Sequence, residues 1–163
     1  MNQIYTFDNL PHNAEELAAL REGHTTDPHY IAALTVLALT EYPDDPEAAI
    51  GMLNLLKGPQ ELSAYEKQFL KDRFRDKSYL MRSYFLGSSP KNNYQPAEPY
   101  QIEIREQSLP DEENYKTLWL QSSGADSIRP LKLRLKPSTG EWFLWEQMLL
   151  AGIRMPEAED PWA

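Results

Sequence analysis

The sequence predicts an α+β fold, in which N-terminal helices pack on a C-terminal antiparallel β-sheet of about four strands. Before position 80, apolar residues recur at helical spacing between capping signals. After position 100, apolar and polar residues alternate, as they do in strands with one buried face. Helices followed by strands, rather than alternating with them, are typical of an α+β architecture.

The length of 163 residues is that of one ordinary domain, so we expect a single globular domain over positions 1–163. The composition agrees, because 41% hydrophobic and 25% charged residues are usual for a chain that buries a core. The predicted parts are a helical part at about 13–80, an ordered loop at about 84–99, a sheet at about 100–146 and a C-terminal segment at 147–163.

The first two helices are expected to pack differently. Asn13 is a good N-cap for a short helix that ends near Gly23. In the second helix, the stretch from Tyr30 to Leu39 is apolar on almost every side. Because a helix that is hydrophobic all round has to be buried, we expect this one at the centre of the core, with Leu34 and Leu37 inaccessible to solvent.

Capping signals place two further helices. Asp45 is the natural N-cap, and Pro46 the first residue, of a helix that ends at Gly58. Ser63 and Glu66 form a capping-box signature for the fourth helix.

The stretch YFLGSSPKNNYQPAEPY, at 84–100, interrupts the regular patterns. Its three prolines and one glycine predict a long loop, and its aromatic residues indicate that the loop packs against the domain. Strands are predicted after it, near 100–105, 115–120, 131–136 and 141–146. The short connections between them favour an antiparallel meander.

The net charge of the chain indicates which kinds of partner it can bind. The formal net charge of −9 comes from 25 acidic and 16 basic residues. Such a field repels nucleic acid and anionic lipid, so we expect neither nucleic acid nor a membrane as a partner. The longest apolar run, from Tyr30 to Leu39, is far shorter than the roughly 20 residues of a transmembrane helix. The first ten residues lack the pattern of a signal peptide, so we expect a cytoplasmic location.

No motif for catalysis or metal binding stands out. The chain has no cysteine, which excludes disulfides, thiolate metal sites and cysteine nucleophiles. His24, Asp27 and His29 offer metal-ligating atoms, but their spacing matches no ligand motif and Asp27 is better explained as a helix cap. We therefore expect no cofactor and no metal, identify no catalytic residue, and favour a non-catalytic function.

The predicted hairpin of the last two strands offers the most informative surface. If these strands pair across the turn at 137–140, one face is apolar and packs inward. The other face then carries Arg134 beside Phe143 and Lys132 beside Trp145. Aromatic rings flanked by cations can form cation–π contacts or receive a partner.

An alternative interpretation covers these rings internally. The C-terminal segment, with Met148, Leu149 and Leu150, can fold back over them, and the rarity of exposed aromatic patches on monomers favours this alternative. Tyr94, in the long loop, is a further surface candidate. The candidate interaction surface comprises Arg134, Phe143, Trp145 and Tyr94.

Several stretches carry a family resemblance, namely YEKQFLKDRF, SYFLGSSPKNNYQPAEPY, LWLQSSGADSIRPLKLRLKPSTGEWFLWE and the ending DPWA. On these stretches the chain resembles an uncharacterised family of small bacterial proteins, catalogued as a domain of unknown function. The resemblance extends from about Tyr30 through most of the chain. It implies a bacterial, cytosolic domain and brings no catalytic residues with it.

Two function hypotheses result. The first is a binding or protein-interaction domain, which uses the aromatic hairpin face and the tyrosine-rich loop against a protein partner or in a homodimer. The second is a small-molecule-binding domain or an unrecognised enzyme, because helices on a curved antiparallel sheet can enclose an apolar pocket, as in cone-shaped α+β folds. A deep pocket that holds a charged group with a perturbed pKa would favour the second hypothesis. A flat aromatic patch, or a large symmetric contact between chains, would favour the first.

Overall fold

The structure is a computed structural model that describes residues 2–163. It confirms the α+β fold, with helices in the N-terminal half and antiparallel strands mainly in the C-terminal half. The helices are α1 (Ala14–Arg21), α2 (Pro28–Thr40), α3 (Pro46–Lys57) and α4 (Ala64–Phe74). The strands are β1 (Gln3–Phe7), β2 (Tyr100–Ile104), β3 (Tyr115–Leu120), β4 (Arg129–Lys136) and β5 (Glu141–Gln147). Short 3-10 helices occupy Met81–Tyr84, Pro90–Asn92 and Glu157–Glu159.

Helix α2 is the centre of the core. Every residue at positions 31–39 is buried, and Leu34 and Leu37 are completely inaccessible, as predicted. The one polar side chain in this run, Thr35, donates its hydroxyl hydrogen bond back to the Ile31 carbonyl at 2.9 Å. Burial of such a helix on all sides is stable only because its polar groups are satisfied within the helix.

The helix boundaries follow the predicted capping residues. The side chain of Asn13 accepts a hydrogen bond from the backbone N–H of Glu16 at 2.9 Å, and Asp45 caps α3 in the same way. The reciprocal capping box between Ser63 and Glu66 is present at the start of α4. Each of these bonds satisfies a backbone donor that the first helical turn leaves free.

The sheet differs from the predicted four-stranded meander. Strand β2 pairs along its length with β1, which the sequence patterns did not predict, and β3, β4 and β5 form a separate antiparallel sheet. The two sheets meet at a bridge between Arg105 and Trp119, whose backbones exchange hydrogen bonds of 2.8 and 2.9 Å. Strand β1 is short and largely exposed, so its stability depends on a partner distant in sequence.

The hairpin of β4 and β5 has the predicted register near its turn, from Lys136 opposite Glu141 to Leu133 opposite Leu144. A bulge follows, and Lys132 pairs with Glu146. The prediction that Lys132 lies beside Trp145 is therefore wrong, because the extra residue of the bulge shifts the pairing by one position.

The buried residues form one hydrophobic cluster, which extends from the N-terminal strand to the C-terminal segment. The inward-facing residues of the three-stranded sheet, such as Leu118, Leu133 and Leu144, belong to it together with the helices. The long loop also contributes, since Tyr84, Phe85 and others are buried. No helix among residues 2–163 combines the length and the apolar character needed to cross a bilayer.

Candidate functional site on the outer face of the sheet

Strand alternation creates a face of the three-stranded sheet that points away from the core. On β3 and β4, buried leucines alternate with residues that stay partly or fully exposed. We call this surface the outer sheet face. It comprises Tyr115, Trp119, Lys132, Arg134, Phe143 and Trp145.

Arg134 lies at the centre of an aromatic cluster on this face. Its guanidinium carbon is 4.7 Å from the centre of the Trp145 ring and 5.5 Å from the centre of the Tyr115 ring. The two rings contact each other edge to face, with their centroids 5.7 Å apart. Lys132 adds a second cation, 5.6 Å from the Tyr115 ring. Cation–π and edge-to-face contacts hold the cluster in a defined arrangement while its outer surface remains open to solvent.

Phe143 connects the outer sheet face to the helices. Its ring lies against the backbone of Gly58, the residue that ends α3, and the guanidinium of Arg21 lies 5.3 Å from the ring centre. Arg21 in turn pairs with Glu141 at 3.5 Å. The segment that follows α3 is thereby held beside the hairpin.

A groove of about 280 Å³ opens between that segment and the hairpin. We call it the hairpin groove. Three of its lining residues are basic and none is acidic, although the chain as a whole carries nine excess negative charges. The residues that define it are Lys57, Pro59, Arg134, Lys136, Phe143 and Trp145.

Lys57 forms the inner wall of the groove, and its side chain is only 6% exposed. Its ammonium donates to a carboxylate oxygen of Glu66 at 3.2 Å and to the carbonyl oxygen of Trp145 at 2.9 Å. Partial burial alone would raise the pKa of Glu66, but hydrogen bonds from the Ser63 backbone and from Lys57 outweigh it and lower that pKa. The lysine therefore joins α3, α4 and the backbone of β5.

A second cavity of about 210 Å³ lies on the other side of Lys57, between α3, α4 and β5. Its lining is mostly apolar, and its charged groups are the paired Lys57 and Glu66 together with Glu146. Both cavities are smaller than the roughly 300–1,000 Å³ of typical small-molecule sites.

The C-terminal segment does not cover the aromatic cluster. Leu149 and Leu150 turn into the hydrophobic core, and the hydroxyl of Tyr84 donates to the carbonyl of Leu149. Met148 stays 62% exposed. Trp145 itself is half-buried and is not part of the core cluster.

Tyr94 does not belong to the exposed surface, and its inclusion in the candidate interaction surface is wrong. The residue is completely buried, its ring stacks on Tyr79 at 5.6 Å, and its hydroxyl donates to the carbonyl of Arg154 at 2.6 Å. A tyrosine with a satisfied hydroxyl is well suited to the interior, and here it fixes the loop to the C-terminal segment.

In the loop with His24, Asp27 and His29, the side chains make contacts that support the fold. Asp27 caps α2 by accepting from the His29 backbone at 3.0 Å, and it also accepts from the Tyr5 hydroxyl at 2.8 Å. His24 stacks on Tyr30, and burial lowers the pKa of His29. In the described part of the chain, no three His, Asp or Glu side chains converge in a way that could hold a metal ion.

A comparison with protein families matches residues 9–157 to a domain of unknown function, DUF6935. The chain belongs to this family. No curated protein and no solved structure matches the chain.

Several residues of the site were not among the predicted candidates, and Tyr115 and Lys57 are the most informative of them. Tyr115 alternates with buried residues of its strand, which indicates an outward position, but nothing in the sequence indicates its place opposite Arg134. Lys57 was missed because a lysine in the last turn of a helix is usually solvated. Its burial results from the distant β5 backbone, which no local pattern reveals.

Proposed function

We propose that this domain is a non-catalytic protein-interaction domain, and that it binds its partner through the hairpin groove and the adjoining outer sheet face. The observation that carries the proposal is the position of the exposed Arg134 over two partly exposed rings, Trp145 and Tyr115. Tryptophan, tyrosine and arginine are the residues most enriched in the energetically important centres of protein interfaces.

Folding alone does not require these rings to lie outward. An antiparallel sheet can leave one face to water, and that face is then usually polar. Here the inner face already supplies Leu118, Leu133 and Leu144 to the core. The outward rings thus add little to the core, and a partner that covers them would remove apolar surface from water.

A protein partner is favoured over nucleic acid by the charge of the chain. Aromatic rings and cations are also the elements of single-strand binding sites. Yet the net charge of −9 repels a polyanion over the Debye length of about 8–10 Å, whereas a small acidic patch on a protein can contact the groove locally. On the sequence resemblance, we further propose a bacterial origin and a cytosolic location.

A small-molecule-binding domain is the second candidate, and one observation favours it. The buried ammonium of Lys57 lies between two cavities and is a fixed charge that an anionic ligand could approach. Glu66 already neutralises this charge, and both cavities are small, which is why interaction with a protein ranks first.

The proposal is tested by capture of partners from cells that produce the protein naturally. The chain and its Arg134→Ala and Trp145→Ala variants serve as bait, and captured proteins are quantified by mass spectrometry. Tyr65→Ala is the matched control, because Tyr65 is a 78% exposed aromatic residue outside the hairpin groove.

A specific partner should be lost with both groove variants and retained with the control. The dissociation constant of the purified partner should then rise about 10-fold or more for each groove variant, as for other interface centres. Equal binding by all four chains would refute the proposal. Saturable binding of single-stranded DNA that Trp145→Ala abolishes would instead support the nucleic-acid function.

A further inference from the structure

The segment 157–162, which we call the acidic tail, presents a large apolar ring to solvent. Trp162 is 93% exposed, more than any other large hydrophobic residue in the described part of the chain. Three acidic residues precede it, and no basic residue lies among them. These are Glu157, Glu159 and Asp160.

The acidic tail is held in a defined shape. Its first residues form the 3-10 helix Glu157–Glu159, and the carboxylate of Asp160 accepts from the backbone N–H of Trp162 at 2.8 Å. Just before it, Pro156 is buried and the Arg154 backbone donates to Gly124 at 2.9 Å. An exposed tryptophan on an ordered turn loses little conformational freedom when it binds, so this arrangement favours recognition.

The hairpin groove complements the acidic tail in charge and in shape. Arg134 and Lys136 are exposed cations at the groove, and its walls contain no carboxylate. Phe143 and Trp145 provide ring faces against which an indole can pack. In a protein with an excess of acidic residues, this groove is therefore a local basic site, which an acidic segment with an aromatic residue would fit.

We infer that the acidic tail of one copy of the chain binds in the hairpin groove of a second copy, with Trp162 inserted beside Phe143 and Trp145. This inference rests on the proposed function, since it names the occupant of the same groove. The contact joins two different surfaces. Two copies can therefore form a closed dimer, in which each acidic tail occupies the hairpin groove of the other, or many copies can form an open filament.

Binding between two copies is favoured over binding within one copy by the position of the tail. The tail is anchored beside Gly124 and Arg129, at one end of β4, whereas the groove lies at the other end, near Lys136. Phe143 pairs with Arg134, which lies five positions along β4 from Arg129, a distance of about 17 Å. To cover it, the six residues from 157 to 162, which reach at most about 20 Å, would have to unwind their 3-10 helix and break the bond between Asp160 and Trp162, whereas binding to a second copy preserves both.

The experiment measures self-association of the full chain by sedimentation velocity over a concentration series. Association of the native chain should weaken about 10-fold or more in Trp162→Ala and in Arg134→Glu, and should weaken as salt rises. Trp162 is exposed, so its replacement leaves the fold intact, which circular dichroism verifies. Leu109→Ala, at another exposed apolar residue, is the matched control and should associate like the native chain.

A mixing experiment identifies the two surfaces directly. The Arg134→Glu copy keeps an intact tail, and the Trp162→Ala copy keeps an intact groove. Each should be monomeric alone, whereas their mixture should form a one-to-one complex. Adding Trp145→Ala to the Trp162→Ala copy should abolish that complex.

A native chain that stays monomeric throughout the series, or a Trp162→Ala variant that associates like the native chain, would overturn the inference. Binding of a cellular partner tests the proposed function separately from self-association. If the native chain is monomeric but Trp145→Ala still weakens binding of a cellular partner, the groove is an interface for another protein. If Trp145→Ala also leaves partner binding unchanged, both proposals are wrong.

Discussion

The aromatic ring of Phe143 lies directly against the backbone of Gly58, where even a single β-carbon would overlap the ring. Gly58 also has a φ of +66°, a conformation that residues with side chains rarely adopt. The end of α3 and the outer side of β5 can approach this closely only because position 58 has no side chain. This contact holds the end of α3 beside the hairpin at the hairpin groove, which both Pro59 and Phe143 line.

Replacement of Gly58 by alanine should therefore destabilise the protein by about 2–4 kcal/mol, from backbone strain and overpacking together. Gly23→Ala is the matched control. Gly23 has a φ of +81°, but a β-carbon added there would meet no atom within 4 Å, so its variant should lose only about 1 kcal/mol. Chemical denaturation measures both free energies of unfolding, and equal losses would contradict the role of the Phe143 contact.

Leu37 tests the central position of α2. Its side chain is completely buried, so Leu37→Ala should lower the free energy of unfolding by about 2–5 kcal/mol through lost burial and a residual cavity. Leu109→Ala, at a residue that is 69% exposed, should change stability by no more than about 0.5 kcal/mol. A loss below about 0.5 kcal/mol for Leu37→Ala would show that α2 is not the centre of the core.

Features that depend on neighbouring residues could be predicted from the sequence. The caps at Asn13, Asp45 and Ser63 are local hydrogen bonds, and the apolar run of α2 can be stable only in a core. The register next to the 137–140 turn also follows from the length of that turn.

Features that depend on distant residues could not be predicted from the sequence. Strand β1 has a weak pattern and gains its hydrogen bonds from β2, about a hundred positions away. The bulge beside Lys132 likewise places an extra residue on β5 that the alternation of the sequence does not reveal. For the site, Arg134, Phe143 and Trp145 were found from alternation, whereas the burial of Tyr94 depends on the C-terminal segment folding over it.

The pair of Lys57 and Glu66 should make stability depend on pH. Because the pKa of Glu66 is lowered in the folded state, its carboxylate stabilises the fold above the unfolded pKa of about 4.3, and this stability is lost as the pH falls through the folded pKa. Glu66→Gln keeps an acceptor for the capping box but removes the charge. It should lower the free energy of unfolding by about 1 kcal/mol at pH 7, a value discounted because the Glu66 side chain is 38% exposed.

The difference between Glu66→Gln and the native chain should shrink as the pH falls below the unfolded pKa of about 4.3 and through the lower pKa of the folded state, where the native carboxylate becomes protonated. Glu61→Gln, at an exposed residue near the start of α4, is the control and should match the native chain within about 0.5 kcal/mol. A Glu66→Gln deficit of the same size at every pH would mean that the charge does not contribute.

The contact between Arg134 and Trp145 should be worth about 0.5–1 kcal/mol, the range for an exposed cation–π pair. A double-mutant cycle with Arg134→Ala and Trp145→Ala measures this coupling. The stability loss of the double variant should be smaller than the sum of the two single losses, because each single variant already removes the contact. Urea denaturation of the native chain, both single variants and the double variant gives the four free energies. Additive losses would show that the ring and the guanidinium do not interact in solution.

The same hairpin supplies an internal comparison between its two faces. Trp145→Ala on the outer side should cost about 1 kcal/mol, whereas Leu133→Ala on the inner side should cost about 2–5 kcal/mol because Leu133 is completely buried. The larger ring would thus contribute less to folding than the smaller leucine. A loss of about 3–5 kcal/mol for Trp145→Ala, typical of a buried aromatic residue, would place its ring in the core and remove the basis for an interface on this face.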